Sequence, residues 1–367
     1  KEKVMAGALA KGVPPDAAEK VFGKFHGMYQ FPEAHAFAFG VTAYQMQWLK
    51  HYYPLEFFIG LFNNQPIGFY NLETLKEDAV RHGVKVLGPD VNLSDAKAVI
   101  EDGALRMGLT HVAKLRDATA EPILEARAGA GAGDKKFTSL ADFMTRTGTQ
   151  QEVLDYLSAA GALDSFDELA VVRERAYAGA GADSALDSAP LADRRHLRWE
   201  SGLRYRPRGK KKDGTRQLAF EMPVEQDMVA LPEESEWDRM IGEYSATGVH
   251  PEGHLMMQVR PHLPPSVIRS DEVRNHANGD RISVAGLVIR RQKPNGKTVF
   301  ITLEDEFGHS PLIIWPAVYQ RFKLVIKEPL LLATGTISRR EGTMNIVVET
   351  IKPIPESIPE FHSKDWG

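Results

Sequence analysis

The sequence predicts a multidomain α+β protein: helical over its first half, with a C-terminal five-stranded OB-type β-barrel. Three observations carry this. Five strand-like segments, 282–290, 298–304, 311–315, 330–337 and 344–351, are separated by turn signals, with a short helix at 317–322 between the third and fourth. Apolar residues spaced three to four apart run through the first eighty or so positions. Two helix-turn-helix patterns, at 108–127 and 151–165, lie between these regions.

Pro14-Pro15-Asp16 opens a helix carrying Ala17, Val21, Phe22 and Phe25, with the Asp16 carboxylate near its positive N-terminus, and Gly27 stops it. A second helix follows Phe31 and runs to about Tyr53. Phe37, Val41, Tyr44, Trp48 and Tyr52 share one side of it, which predicts a core-facing stripe. Pro54 breaks it, and helices are expected at 55–63 and 72–82. Residues 84–92 read as strand and turn, and 105–109 as a short extended piece. The first helix-turn-helix bends near Lys114-Leu115-Arg116-Asp117, and the second has Gly161 after its helix. The Gly/Ala runs at 128–133 and 179–189 predict a flexible insertion and an interdomain linker. In the barrel, turns are signalled by Pro294-Asn295-Gly296, Glu306-Phe307-Gly308 and Arg340-Glu341-Gly342.

Composition narrows the chemistry. The 367 residues are 43% hydrophobic and 26% charged, and none is cysteine, which rules out disulfides and thiolate zinc sites and fits a reducing cytoplasm. No apolar run reaches the roughly 20 residues of a membrane helix, so no membrane partner is expected. Lys1-Glu2-Lys3-Val4 reads as mid-helix, so the chain is expected to be a piece of a longer protein. Net charge is only -4, but its distribution is uneven: residues 194–216 hold ten Lys/Arg against two acids, and 217–243 hold eight acids against Arg239. Such a basic strip is either a solvated tether or a phosphate-contacting surface.

Catalytic motifs are missing. Two-metal nucleotidyl transfer needs converging carboxylates, and no Asp-x-Asp occurs. Glu304-Asp305-Glu306 sits at a predicted hairpin and reads as turn structure. His250 and His254 are separated by Pro251 and Gly253, which prevent a helix from aligning them on a metal. Gly209-Lys210-Lys211-Lys212 lacks the spacing and hydroxyl of a phosphate loop.

The run from Phe31 to Gly40, with Tyr44-Gln45, Trp48-Leu49-Lys50 and Tyr53-Pro54, resembles the C-terminal part of the fingers of bacterial C-family (polymerase III alpha-like) DNA polymerases. Asn63 to Tyr70, Arg81-His82-Gly83-Val84, Asp90-Val91-Asn92, Trp237 to Tyr244, Ala246-Thr247-Gly248, His254 and Ser363-Lys364-Asp365-Trp366 are similar to the error-prone, ImuC-type branch of damage-induced mutagenesis. The resemblance covers essentially the whole chain. It implies fingers over 1–92, a tandem helix-hairpin-helix DNA-binding region over 93–170, a flexible basic linker over 171–223, an acidic helical connection over 224–280, the OB domain over 281–355 and a tail over 356–367.

It further implies template-directed attack of a primer 3′-hydroxyl on a dNTP with Mg2+, the metal being held by palm aspartates that this chain does not contain. The chain alone is therefore expected to be inactive. Phe31, His35 and Lys50 match nucleotide-side fingers positions, the plain alternative being a capping His and a solvated Lys. DNA contact is expected from Lys114, Arg116 and Gly161 of the hairpins and from Arg204, Arg206, Arg208, Lys210, Lys211 and Lys212 of the strip. The first hairpin departs from the pattern, with Lys114-Leu115-Arg116 where a glycine-bearing turn belongs, and Gly161 reads equally as a helix cap. Gln217, Leu218 and Phe220 resemble a sliding-clamp peptide, though Glu221 stands where a second aromatic would help.

Alternation in the second barrel strand sends Val299, Ile301 and Leu303 inward and Phe300 outward, beside Arg290, Arg291, Lys293 and Lys297. Phe300 is thus expected either to stack on a base of single-stranded template or to pack against another domain. The implied partners are primer-template and single-stranded DNA, a sliding clamp and other mutagenesis-complex proteins. Two rivals remain at this level. One is a non-catalytic DNA-binding or clamp-adaptor module, and the other is an OB-containing tRNA-binding or synthetase-like accessory protein.

Overall fold

The computed structural model describes residues 2–24, 32–68, 70–129, 136–166, 194–205, 234–294, 296–340, 342–354 and 364–366. The chain divides into two compact units, Lys1–Pro54 and Leu55–Gly367.

The first unit contains helices α1 (Glu2–Ala10), α2 (Pro15–Lys24) and α3 (Glu33–Tyr52). The apolar side of α3 is not a core stripe: Phe37 is 75% exposed and Tyr44 71%, and Val41, Trp48 and Tyr52 are exposed with them. Periodicity marks a face able to be buried, but it does not specify what covers it. Phe39, Met46 and Leu49 are exposed as well, so apolar residues surround much of this helix. Trp48 packs locally against Tyr52 and Tyr53 with tilted rings, the centroids 5.0 and 5.6 Å apart.

In the second unit, α4 (Pro54–Asn63) starts on proline, whose fixed φ suits the first helical position. Helix α5 (Leu72–Arg81) is capped by Asn71, whose side chain accepts from the Thr74 N–H at 2.8 Å. Strands β1 (Val86–Leu87), β2 (Val99–Glu101) and β3 (Ala104–Arg106) form a small sheet in the order β1-β3-β2. Phe58, Phe62, Leu75, Ala79, Leu105 and Met107 make one core between these elements.

The middle region holds α6 (Asp117–Ala128), α7 (Leu140–Thr147), α8 (Gln151–Ala159), α9 (Arg194–Arg204) and α10 (Glu236–Thr247). Leu109, Ile123, Leu140, Phe143, Leu154 and Leu157 fill its core, together with Leu197 of α9. Residues 194–204, expected as part of a flexible basic tether, are therefore a docked helix. Every third or fourth residue of that strip turns inward, and its cations find carboxylates, as shown below.

The barrel matches its expected strands closely: β5 (Arg281–Gln292), β6 (Val299–Asp305), β7 (Gly308–Ile314), β8 (Leu330–Arg340) and β9 (Thr343–Pro353). The order β5-β6-β7-β9-β8 closes through a second pairing of β5 with β8, and β7 and β9 run parallel. Helix α12 (Pro316–Phe322) lies between β7 and β8. Glycine is required where β5 passes β6, because a Cβ on Gly286 would lie 2.6 Å from the Glu304 carbonyl oxygen. Helix α10 and α11 (Leu255–Val259) cover one wall, with Met240, Tyr244, Leu255 and Met256 packed on Ala285, Leu287 and Leu330. Two further strands flank the sheet: β4 (Val267–Ile268) and β10 (Lys364–Trp366), each parallel to β5.

Candidate nucleic-acid interface

The strongest surface feature for binding lies on the outside of the barrel. Val299, Ile301 and Leu303 are buried inside, while Phe300 between them is 37% exposed. Phe300 pairs across the sheet with Gln292 of β5 and Ile313 of β7. Lys297 is exposed in the β5–β6 turn, and the Lys293 ammonium sits 4.3 Å from the ring centre of Tyr319. With the Gln292 amide turned to satisfy both groups, its oxygen accepts from Arg290 at 2.7 and 3.2 Å. Arg291 differs from its neighbours. Its guanidinium donates to the carbonyls of Ile326, Lys327 and Glu328 at 2.8–2.9 Å, so it ties the 3-10 turn Val325–Lys327 to the barrel. The structure thus gathers an exposed aromatic and three cations at this sheet end, and gives Arg291 a structural task.

In the first hairpin, Lys114 adopts φ 68°, the left-handed conformation in which glycine is the usual choice. Leu115 beside it is buried, and the Arg116 N–H donates to Thr119 Oγ1 at 2.7 Å. The Lys114 ammonium meets Glu152 Oε1 of α8 at 2.9 Å, with both side chains exposed. The sequence departure at this turn therefore keeps the backbone bend and adds a cation to it. Lys114→Gly is expected to leave unfolding free energy within about 1 kcal/mol of the parent, since relief of left-handed strain is offset by added freedom in the unfolded chain. Duplex affinity should fall and its salt dependence flatten, by about 0.9 in the log–log slope if one phosphate contact is lost. Titrating duplex at two salt concentrations checks this, and an unchanged slope would remove Lys114 from the interface.

The second hairpin is arranged differently from its expectation. Helix α7, unforeseen in the sequence, precedes α8, and the two are joined by a tight connection in which Gly148 is left-handed. Gly161, at φ +74°, faces protein: a Cβ there would lie 2.2 Å from Nη2 of Arg194. The close approach expected of a phosphate is made by this guanidinium. Arg194 is 5% exposed and donates from Nη2 to Asp164 at 2.8 Å and from Nη1 to Glu243 at 2.8 Å. Burial works against its charge, but Asp164 and Glu243 outweigh that and hold it above the ordinary arginine range. Glu243 is pushed up by burial, yet the His250 hydrogen bond at 2.5 Å and Arg194 hold its carboxyl below the usual value.

Glu304 and Asp305 are buried and paired inward. Glu304 accepts from Arg81 at 3.1 Å and lies 2.8 Å from His309 Nε2, and Asp305 accepts from Arg260 at 3.0 Å. Arg260 also grips Glu306. These acids join the α5 and 260–270 segments to the barrel, consistent with the structural reading of the run. Among the described residues no group of three His, Asp or Glu side chains is placed to hold a metal.

Comparison with known proteins agrees with both regions. A helix-hairpin-helix motif model matches residues 83–173, and an OB-fold nucleic acid binding domain model matches 282–354. The error-prone DNA polymerase of Anaeromyxobacter dehalogenans (strain 2CP-C) is 35% identical over 372 residues, covering 96% of this chain and 30% of its own. The error-prone DNA polymerases of Bdellovibrio bacteriovorus and Corynebacterium efficiens are 32% and 31% identical, over 96% and 94% of this chain and 33% and 29% of their own. The chain is a relative of the error-prone DNA polymerases. It spans about 30% of the length of the curated relatives it matches.

Among the positions suggested by likeness to polymerase fingers, His35 lies exposed on α3, edge-on to Phe39 with ring centroids 4.5 Å apart, and Lys50 is half-buried near the end of the same helix. Phe31, Arg206, Arg208, Lys210, Lys211, Lys212, Gln217, Leu218 and Phe220 lie outside the described residues. Arg204 is ion-paired to Glu200, one turn back on α9. The i, i+4 spacing of Glu200 and Arg204, with Leu197 between flanking arginines, was the available signal that this strip is helical.

Proposed function

We propose that this chain forms the nucleic-acid-gripping part of an error-prone DNA polymerase, with the outer face of its OB barrel taking single-stranded template. The observation that supports this best is Phe300, exposed between inward-facing Val299 and Ile301 on the barrel's second strand, with Arg290, Lys293 and Lys297 at the same end. An aromatic platform among cations is what sequence-indifferent single-strand binding requires: bases stack and phosphates are neutralised. Lys114 and Arg116, both exposed at the first hairpin, take duplex phosphates in this reading, while Phe31, His35 and Lys50 lie on the incoming-nucleotide side.

The intact enzyme joins a dNTP to a primer 3′-hydroxyl and releases pyrophosphate, in the cytoplasm, with Mg2+ supplying charge stabilisation. The described residues here do not fit that metal, so in this reading its carboxylates belong to another segment and this chain extends no primer by itself. Contact with a sliding clamp through Gln217, Leu218 and Phe220 is a separable part of the reading. No helix of the described residues is long and apolar enough to cross a membrane.

The test is anisotropy titration of labelled oligo-dT with the parent chain and Phe300→Ala. Stacking predicts a loss of about 1–3 kcal/mol in affinity, with urea unfolding unchanged. Full affinity combined with a lower unfolding midpoint would instead make Phe300 a packing residue and end the single-strand assignment.

A further inference from the structure

Ile314 ends β7 buried in the barrel, opposite Val299 of β6. Pro316 opens α12, and the clash of its ring with the residue before it favours extended backbone there. Trp315, at φ -71° and ψ 156°, is extended accordingly, so the alternation of β7 runs one residue past the strand. Leu312 and Ile314 are buried, while Trp315 is 51% exposed. Trp315 therefore shares the outer face with Ile313 and with Phe300, which pairs with Ile313 across the sheet.

Phe300 and Trp315 are diagonal neighbours on this face, because Trp315 follows the cross-strand partner of Phe300 by two residues. Such positions lie about 7–8 Å apart, within reach of aromatic side chains. Helix α12 brings a cation to the same place. The Tyr319 N–H donates to the Trp315 carbonyl at 2.9 Å, which sets Tyr319 one turn further along, and the Lys293 ammonium lies over the Tyr319 ring. Charge around the pair has one sign. Residues 290–303 hold four Lys/Arg and no acid, and residues 308–327 hold three Lys/Arg and no acid. A partner for this surface must offer flat faces for stacking and negative charge together.

We propose that Trp315 is a second base-stacking position of the single-strand-binding face, taking the nucleotide next to the one on Phe300, with Lys293 contacting the phosphate beside it. The proposal rests on the reading of the OB face given above, and deepens it by widening the platform from β6 to the junction of β7 and α12. The spacing of about 7–8 Å is about twice the roughly 3.4 Å per base of a duplex strand. Bases resting on both rings are therefore drawn apart from each other, which suits an extended single strand and excludes a stacked duplex.

The experiment uses the full chain and labelled oligo-dT, with Trp315→Ala, Trp315→Phe and Phe300→Ala compared by anisotropy. Trp315→Ala is expected to weaken binding about tenfold and Trp315→Phe to retain most of the affinity. Urea unfolding should match the parent in both, because the Trp315 side chain makes no capping bond to α12. Parent-like binding by Trp315→Ala alongside weakened binding by Phe300→Ala would overturn this proposal and leave the OB-face reading standing. Parent-like binding by both alanine variants would overturn the OB-face reading itself. Weakened binding by Trp315→Ala alone would overturn the paired platform. A loss in Trp315→Ala that phenylalanine does not restore, or that comes with a lower unfolding midpoint, overturns the stacking role in favour of packing.

Discussion

Arg194→Ala is expected to lower the unfolding free energy by about 3–5 kcal/mol, because it leaves the buried Glu243 and the half-buried Asp164 without their shared counter-charge. Arg194 is 5% exposed, and its guanidinium bridges Asp164 of the helix-hairpin-helix region to Glu243 of α10. It also donates to the Ala159 carbonyl at 3.3 Å, and its own carbonyl accepts from Ser158 Oγ at 3.0 Å. Helix α9 is thus keyed into the hairpin by one residue serving several partners. Arg194→Lys should recover only part of the loss, since a single ammonium cannot present the planar fork that reaches both carboxylates. Gly161→Ala acts on the same contact from the other side, combining a left-handed φ with a Cβ in the guanidinium's space. The two substitutions should therefore be non-additive, with Gly161→Ala costing less once Arg194 is gone. Urea unfolding of the singles and the double measures this. A loss below about 1 kcal/mol for Arg194→Ala would mean that α9 does not dock on the hairpin.

That contact also shows where the sequence stopped being readable. The barrel was legible almost strand by strand, because alternation along 299–303 states directly which side chains face inward. The exposed position of Phe300 followed from the same rule. Arg194 lies 30 residues from Asp164 and 49 from Glu243, and no local pattern encodes a pairing at that separation. Its strip therefore read as a solvated tether or a phosphate-contacting surface, and Gly161 as a hairpin glycine or a helix cap. Arg291 looked like its cationic neighbours, and only the path of the chain at 325–328 turns its guanidinium onto carbonyls. Helix α3 failed in the opposite sense, since its spacing was correct and its exposure was not. Spacing identifies a surface that can be covered, whereas burial depends on what is present to cover it.

The His254→Asn variant is expected to flatten the acid limb of the stability curve. His254 is 2% exposed, and its Nδ1 accepts from the Met256 N–H at 3.1 Å to cap α11. An accepting Nδ1 carries no proton, so the ring is neutral with its hydrogen on Nε2, which is buried without a hydrogen-bond partner. Burial is the main cause that lowers its pKa to about 3, with Lys76 and Arg81 of α5 and nearby His250 acting in the same direction and Glu304 of β6 against it. In the unfolded chain the imidazole takes its proton near pH 6.5. The folded-state value is depressed, so the contribution to stability is complete above about 6.5 and is lost as pH falls towards 3, at about 1.4 kcal/mol per pH unit. Glu77 works in the other direction. Burial raises its carboxyl to about 7, so its contribution is greatest at low pH and fades as pH rises from about 4.5 through 7. The two slopes oppose each other between about 4.5 and 6.5, and below that His254 acts alongside Glu304 and Glu243, whose carboxyls are held below the usual value. Comparing variant with parent isolates the histidine, because asparagine keeps an acceptor for the cap and cannot titrate. Between about pH 7 and pH 4 the parent should lose about 3 kcal/mol more than His254→Asn in urea unfolding. Parallel curves for the two proteins would show that the ring gains its proton as readily folded as unfolded, and that it is not held neutral in this interior.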